Sequence, residues 1–455
     1  MRTPAPDERP VALTIAGSDS GGGAGIQADL ATMGAHGVFG TSVISAVTAQ
    51  NTRGVSGSHV LPRDDVEAQL EAVTDDFEVG AAKTGMLATA ELVRLVADRA
   101  PAFDFPLVVD PVMVATSGDR LLEPEAERAY EDLIAEATVV TPNADEAEVL
   151  TGIAVEDDES AEEAGEALLD FGAEAALVKG GHVPGERVSD ALVTADGVTT
   201  FEHPRVDTDA THGSGCALAA AIAARLARGD DLGSAVEGAT GFLERAVRYH
   251  YDVGEGPGAV NHDVDARNRE ARAATAEAVQ SVVDRFVAED ISALVPEVGT
   301  NVAGATPFAE RVDDVAAVDG RITRTLSGVH PNRGVRFGAS SHMARFLLAA
   351  REYDPDLRFA VNCRFDGDVE SALSDLEWPV AEYDREAEPD DVASEEGRTM
   401  GWGARQAFEG ADPTPVAVID RGAVGKEPLT KIVAANAETL AERVLTLEEV
   451  LESRR

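Results

Sequence analysis

The stretch from Thr211 to Ala223 holds the clearest group of residues that could do chemistry. It reads Thr-His-Gly-Ser-Gly-Cys and continues into an Ala-rich run typical of a well-packed helix. Gly213 and Gly215 let the backbone turn tightly and leave free N–H groups at the helix start, which suits a phosphoryl group. Cys216 falls in the first turn, where the helix dipole favours a thiolate of lowered pKa. From this stretch alone, an ordinary turn with a small core cysteine is an equally good interpretation.

The N-terminal part of the chain has the pattern of an α/β unit. An apolar run over 11–16 predicts a buried strand, residues 17–25 form a glycine-rich loop, and a helix follows from Ile26. The loop lacks the Gly-Lys-Ser/Thr of a Walker motif, so by itself it is weak evidence for phosphate. Asp29 lies one turn into the helix, where it either faces a ligand or is a solvated first-turn acid.

Further predicted strands end in polar residues or glycine. One strand over 41–49 ends at Gln50, whose amide can donate and accept side by side and so suits an aminopyrimidine edge. The other segments of this kind are 79–86, 105–113, 137–143 and 175–182. Because parallel strands bring their carboxyl ends to one edge, we expect an α/β fold with a mostly parallel sheet flanked by helices and one crowded functional edge.

These segments resemble the hydroxymethylpyrimidine/phosphomethylpyrimidine kinases of the ribokinase-like superfamily. The resemblance covers about residues 10–258 and is carried in order by segments 16–29, 48–54, 83–86, 110–113, 141–143, 179–182 and 211–216. It implies two successive phosphorylations that depend on ATP and Mg²⁺, giving first the pyrimidine monophosphate and then the diphosphate.

The resemblance also implies three groups of site residues. Those around the pyrimidine are Gly17, Asp29, Gln50 and Met86. Those at the metal are Asp110 and Glu146, and those at the nucleotide are Asn143, Lys179 and Ser214. An anion hole from Gly213 to Gly215 leads to Cys216, which stands where most ribokinase relatives have an aspartate base. This cysteine favours a pyrimidine kinase, and a vitamin B6 kinase is the alternative.

A second unit is predicted after a turn-rich stretch over 254–262. We expect a flexible tail over 1–9, the kinase domain over 10–258, a linker over 259–272 and a second α/β domain over 273–455. A long polar helix is predicted over 263–289, a hairpin turn over 318–324, a strand over 334–338 and a helix over 340–351. Further strands are predicted over 357–362 and 415–420, and a terminal helix over 430–447.

The second unit resembles the thiamine-phosphate synthase domain found behind this kinase in archaea. The segments that carry the resemblance are 297–301, 320–321, 338–342, Asn362, 401–403 and 420–428. It implies that the pyrimidine diphosphate joins thiazole phosphate with release of pyrophosphate, with catalytic roles for Arg321 and His342. An arginine fork and a histidine at a helix start suit a leaving diphosphate, and Lys426 is a third phosphate candidate. A surface arginine, an idle histidine and a domain that only senses thiamine phosphate are the alternatives.

Charge and composition limit the partners and the cellular location that the protein can have. The net charge of −45 argues against nucleic acid as a partner and favours adaptation to very high salt. Two cysteines and no apolar run of membrane-spanning length lead us to expect a cytoplasmic protein without a membrane partner, and we expect a homo-oligomer. The chain has only four lysines, so each is a candidate for a functional role. For Lys431 we prefer the interpretation that it remains by chance.

Overall fold

The computed structural model describes residues 8–113, 124–183, 185–389, 392, 398–423 and 425–454. The chain divides into two compact units, residues 1–264 and 265–455. Most of the tail expected over 1–9 lies outside the described residues. Within the described ranges, no helix combines the length and the apolar character needed to cross a membrane.

The first unit is built on one large sheet. Its strands are β1 (Val11–Asp19), β2 (Phe39–Asn51), β3 (Gly54–Val60), β4 (Val79–Thr84), β5 (Leu107–Val109), β6 (Val139–Val140), β7 (Ala175–Val178), β8 (Arg187–Thr194) and β9 (Gly197–Pro204). They lie in the order β3-β2-β1-β4-β5-β6-β7-β8-β9. The strands from β2 to β7 in this order pair in parallel, whereas β3, β8 and β9 pair antiparallel with their neighbours, and β3 and β9 form the two edges. The predicted mostly parallel sheet is therefore confirmed.

Helices flank this sheet, and one of them is buried on all sides. The helices are α1 (Gly25–Ala35), α2 (Arg63–Thr74), α3 (Ala90–Arg99), α4 (Pro124–Ile134), α5 (Ala144–Thr151), α6 (Asp158–Asp170), α7 (Ser214–Ala227) and α8 (Leu232–Arg248). Every residue of α7 from Ala217 to Ala224 is buried, and the helix packs against α1, α8 and β4. Small alanine side chains let these elements approach closely, so the Ala-rich run is explained by packing.

The second unit begins with α9 (Val264–Glu289), so the linker expected over 259–272 is helical in its second half. Its other helices are α10 (Ser341–Arg351), α11 (Gly367–Asp375), α12 (Arg398–Phe408) and α13 (Ala437–Ser453). Its strands are β10 (Val302–Ala305), β11 (Val315–Val318), β12 (Ile322–Thr325), β13 (Gly328–Pro331), β14 (Val335–Phe337), β15 (Phe359–Arg364), β16 (Val380–Tyr383), β17 (Ala417–Asp420) and β18 (Leu429–Ala434).

Seven of these strands form a mixed sheet in the order β14-β11-β10-β15-β18-β17-β16, and β12 and β13 form a separate two-stranded ribbon. The hairpin predicted over 318–324 is wrong, because β11 and β12 belong to different sheets. Gly320, with φ of +91°, lies in the turn that carries the chain from one sheet to the other.

The terminal helix predicted from residue 430 is also wrong at its start. Residues 429–434 form β18, which pairs with β15 on one side and β17 on the other. Thr430, Ile432 and Val433 are β-branched and suit this central position. The helix begins only after Asn436, whose side-chain oxygen accepts the N–H of Thr439 at 2.8 Å.

Lys431 lies on this central strand and is fully buried. Its Nζ donates to the Asp420 carboxylate at 3.3 Å and to the Tyr383 hydroxyl at 3.1 Å, while Arg385 makes two bonds to the same carboxylate. Burial lowers the pKa of Lys431 to about 8, although Asp420 opposes the shift. Lys431 therefore belongs to a buried polar cluster, in which Arg385 is the second cation at the Asp420 carboxylate.

Candidate active site

A cavity of about 630 Å³ opens at the carboxyl ends of the parallel strands of the first unit. All but one of the residues predicted for the kinase site line it. They are Gly17, Gln50, Met86, Asp110, Asn143, Glu146, Lys179, Gly213, Ser214, Gly215 and Cys216. The arrangement follows from the fold, since the ends of β1, β2, β4, β5, β6 and β7 meet along one edge.

The anion loop lies at the start of α7. Gly213 is the N-cap with φ of +82°, and a Cβ built there would lie 1.9 Å from the carbonyl oxygen of Gly23. Only glycine fits this position. No side chain caps the helix, and the Ser214 N–H donates to the Thr211 carbonyl at 3.0 Å, so the amides of Gly215 and Cys216 are the ones that suit an anion. A Cβ built on Gly215 would lie 3.5 Å from Lys179 Nζ, which places an ammonium beside the loop.

This ammonium bonds to one carboxylate and acts on a second one through its charge. Lys179 Nζ donates to Asp110 Oδ1 at 3.2 Å, and Glu146 and Asn143 accept each other's backbone N–H at 2.9 Å in a capping box that starts α5. Burial raises the pKa of Glu146 to about 7, and the charge of Asp110 adds to the rise while Lys179 opposes it. The site therefore has more negative charge than one lysine balances.

The acid pair suits a divalent cation that also binds phosphates. No cluster of three or more histidine, cysteine, aspartate or glutamate side chains that could hold a metal occurs in the described part of the chain. Mg²⁺ is usually held by one or two carboxylates together with phosphate oxygens and waters. Asp110 and Glu146 fit that donor set, because among the described residues Lys179 is the cation bonded to this pair, and it bonds to Asp110.

Cys216 does not have the lowered pKa that its place in the helix predicts. Burial raises the pKa of its thiol to about 11; Lys83 opposes the rise, and Asp29 and Asp110 add to it. The expected thiolate is therefore wrong for this structure. Desolvation by the surrounding protein and two nearby carboxylates outweigh the field of the helix start.

Asp29 is the predicted site residue that does not line the cavity. Its side chain is fully buried and accepts bonds from Thr14 Oγ1 at 2.6 Å and from Lys83 Nζ at 3.0 Å to both oxygens. Burial favours the neutral amine of Lys83, but the Asp29 carboxylate outweighs this and holds the lysine pKa above its usual range. Contact between Asp29 and a pyrimidine is therefore not supported, and the pair lies within the core.

Asp19 and His212 also line the cavity, and the sequence did not predict a role for either of them. The Asp19 carboxylate is 2% exposed and accepts the backbone N–H groups of Gly21, Gly23 and Ala24 at 2.7, 3.0 and 2.9 Å. It also lies 3.3 Å from Nε2 of His212, in the anion loop. An aspartate directly before a glycine-rich loop is the available sequence signal, since such side chains often bond nearby backbone. Nothing in the sequence pairs it with His212.

In the second unit, two buried asparagines fix the turn before Arg321. Asn301 Nδ2 donates to the carbonyls of Val318 and Gly320, both at 3.0 Å, and its Oδ1 accepts the N–H of Val318. Asn362 Oδ1 in turn accepts the N–H of Asn301 at 2.8 Å. Both N–H groups of the Asn301 amide and one lone pair of its oxygen bond to backbone, so its role is to hold the chain that carries Arg321.

Arg321 and Lys426 lie on adjoining turns. The exposed Arg321 guanidinium contacts the carbonyl of Val298, and the Glu427 carboxylate accepts the N–H groups of Glu297 and Val298 at 2.8 and 3.0 Å. Lys426 precedes Glu427 and is exposed. The structure thus joins two of the three predicted diphosphate contacts through one turn. His342 is exposed in the first turn of α10.

Comparison with known families divides the chain in the same way. Residues 19–261 match the family model described as phosphomethylpyrimidine kinase, and residues 278–446 match the model described as thiamine-phosphate synthase ThiN. The chain is 48% identical over 256 residues to the hydroxymethylpyrimidine/phosphomethylpyrimidine kinase of Haemophilus influenzae, covering 55% of this chain and 95% of that protein.

Two further similarities concern a fused protein and a solved structure. The chain is 45% identical over 266 residues to the thiamine biosynthesis bifunctional protein ThiED of Geobacter sulfurreducens, covering 58% of this chain and 54% of that protein. The crystal structure of an ADP complex of Bacillus subtilis pyridoxal kinase is similar with a TM-score of 0.53 and 33% identity, covering 56% of this chain and 98% of that one.

Proposed function

The chain belongs to the phosphomethylpyrimidine kinase family and carries a ThiN domain behind it, and from this we propose a bifunctional enzyme of thiamine biosynthesis. The first unit phosphorylates hydroxymethylpyrimidine and then its monophosphate with ATP. The second unit joins the diphosphate to thiazole phosphate and releases pyrophosphate. The observation that carries the kinase proposal is the single cavity that Gln50, the Asp110–Glu146 pair and the anion loop share.

Phosphoryl transfer in this cavity depends on positioning and on neutralising charge. Lys179 and the amides at the start of α7 bind phosphate oxygens, and Gln50 holds the pyrimidine. Mg²⁺, when bound by Asp110 and Glu146, supplies charge neutralisation at the phosphates. The ADP complex of the similar pyridoxal kinase supports an adenine nucleotide as the phosphoryl donor.

Cys216 acts in this scheme as a neutral thiol. Its pKa of about 11 leaves little thiolate at neutral pH. The transition state of phosphoryl transfer is loose, so removing the proton of the attacking hydroxyl early gives little advantage. The small thiol therefore serves to fit the hydroxymethyl group against the anion loop, and proton removal is secondary.

The second unit uses its adjoining turns to bind diphosphate. Arg321 and Lys426 supply positive charge, and His342 at the start of α10 is a donor for the leaving group. The match to the thiamine-phosphate synthase model and the similarity to a bifunctional thiamine protein support catalysis over a sensing role. Fusion raises the local concentration of the diphosphate near its consumer.

A vitamin B6 kinase is the second candidate for the first unit. Its support is the similarity to a pyridoxal kinase at 33% identity, against 48% to a pyrimidine kinase. We also propose a cytoplasmic homo-oligomer that works at high salt without nucleic acid or membrane. The charge of −45 supports the salt adaptation, because dense counter-ions screen such repulsion.

Coupled turnover tests the proposal. The protein in molar KCl receives hydroxymethylpyrimidine, ATP, Mg²⁺ and thiazole phosphate, and mass spectrometry follows thiamine phosphate. We expect product from the wild type and accumulation of the diphosphate in His342→Ala. A wild type that stops at the diphosphate would make the second unit a sensor. Faster turnover of pyridoxal than of the pyrimidine would favour the vitamin B6 kinase.

A further inference from the structure

The glycine-rich loop and the anion loop of the kinase unit meet at His212. A Cβ built on Gly23 would lie 2.7 Å from Cδ2 of this histidine, so the loops are in close contact. Nε2 of His212 lies 3.3 Å from Asp19 Oδ2 and 3.3 Å from one of the two terminal atoms of the Gln50 amide. One ring nitrogen thus contacts both a carboxylate and the residue assigned to the pyrimidine.

The carboxylate determines which ring nitrogen carries a proton. Burial opposes ionisation of Asp19, but His212 and the N–H groups of Gly21 and Ala24 outweigh it and hold the pKa below its usual value. An ionised carboxylate can only accept, so Nε2 of His212 carries a hydrogen and donates. The Gln50 atom that faces this N–H is therefore an acceptor. The Gln50 amide therefore directs its oxygen toward His212 and its nitrogen toward Thr48.

Thr48 supports the same orientation from the other end of the amide. Its Oγ1 lies 2.8 Å from the carbonyl oxygen of Ser18 and 3.2 Å from the other terminal atom of the Gln50 amide. A hydroxyl has one hydrogen, and the shorter contact takes it. The Gln50 atom that faces Thr48 is then a donor, the NH₂ group. Two neighbours with separate partners thus require the same amide orientation.

We propose that His212, held by Asp19, fixes the orientation of the Gln50 amide and thereby sets the substrate specificity of the kinase site. This rests on the proposed role of Gln50 at the pyrimidine. With the amide fixed, its remaining N–H and lone pair face the ligand in one order. A 4-aminopyrimidine offers an amino donor beside a ring-nitrogen acceptor, whereas its 4-oxo analogue reverses both. His212 is a positioning residue that excludes the reversed edge.

The test compares turnover of hydroxymethylpyrimidine and its 4-oxo analogue. In His212→Leu the amide is free to rotate, and we expect the preference for the amino substrate, as a ratio of kcat/KM, to fall about tenfold, the worth of roughly one hydrogen bond. Most of the change falls on KM, because the amide binds the ring and not the phosphoryl group. His212→Gln keeps an N–H donor and retains the preference. His59→Leu on the exposed face of β3 is the matched control and leaves the ratio unchanged.

Each outcome decides the proposal. A wild type that phosphorylates the pyrimidine, together with an unchanged ratio in His212→Leu, overturns the positioning role and leaves the proposed function intact. Thr48→Val removes the other contact of the amide, and it gives the same readout if His212→Leu does not fold. An unchanged ratio there also counts against the assignment. No turnover of hydroxymethylpyrimidine by the wild type overturns the proposed function and this inference together.

Discussion

Replacing Lys83 by methionine removes one partner of a fully buried ion pair. Its Nζ lies 3.0 Å from both oxygens of Asp29, and neither side chain is exposed. At an effective dielectric constant near 20, two unit charges 3 Å apart attract by about 5 kcal/mol. Removing one partner of such a pair commonly costs 3–5 kcal/mol, because an uncompensated charge stays behind. We expect Lys83→Met to lower the free energy of unfolding of the first unit by about that amount at pH 8.

The loss depends on pH, with a sign that follows from Asp29. Burial raises the pKa of this carboxyl and Lys83 opposes the rise, so without the lysine the pKa rises further. The native state then holds a proton that the unfolded chain releases, and stability falls as pH rises through that window. The penalty of Lys83→Met is therefore smaller at pH 5 than at pH 8.

Urea unfolding in molar KCl at both pH values measures these effects. The double variant Asp29→Asn/Lys83→Met keeps the shape and removes both charges, so it regains most of the loss. Arg187→Met, in an exposed pair with Glu202, is the control and costs below about 1 kcal/mol. A loss below about 1 kcal/mol in Lys83→Met, or additive effects in the double variant, would refute the reasoning.

Three further substitutions and one chemical modification test the two sites. Glu146→Gln removes a metal-binding carboxylate whose pKa is about 7 in the metal-free site, so kcat/KM for ATP with Mg²⁺ falls about tenfold and its rise through neutral pH disappears; a pH profile at limiting ATP and Mg²⁺ checks this. Gly213→Ala puts a Cβ against the Gly23 carbonyl at φ of +82° and is expected to abolish kinase activity, measured with folding followed by circular dichroism; an active, folded variant would contradict it. Asn301→Ala frees the turn before Arg321, so synthase turnover falls while kinase turnover is unchanged, and equal losses in both assays would count against the positioning role. Alkylation of Cys216 by iodoacetamide is slow at pH 8 and speeds up toward pH 11, whereas a fast reaction at pH 7 would show a thiolate.

The strand ends of the kinase unit could be predicted from sequence because each short apolar run is bounded by polar residues or glycine. Parallel pairing then brings those ends together whatever the loops do, so Gln50, Asp110 and Lys179 were placed at one edge without coordinates. What failed depends on three-dimensional environment. The pKa of Cys216 follows from desolvation and two carboxylates that the local helix pattern does not contain. The burial of Asp29 depends on Lys83, which is 54 residues away.

The fold of the second unit was harder to predict from the sequence, because its sheet contains both parallel and antiparallel strand pairs. A run with Thr430, Ile432 and Val433 suits a strand, but its junction with a long amphipathic helix hid the boundary at Asn436. In a parallel sheet the crossover connections limit which strands can be neighbours. Antiparallel strands have fewer such limits, so the consecutive strands β11 and β12 can belong to different sheets.

Most of the few lysines in this very acidic chain form ion pairs with aspartates. Three of the four are bonded to aspartates, with Lys83 to Asp29, Lys179 to Asp110 and Lys431 to Asp420. Dense salt screens charges at the surface but has little effect on buried pairs, so these carboxylates still need a protein cation. The ammonium is a compact point charge that can touch both oxygens of Asp29 within the core, where a guanidinium needs more room. Three of the four lysines are therefore bonded to aspartates away from the surface, with Arg385 beside one of them, and the exposed Lys426 lies on the turn assigned to diphosphate.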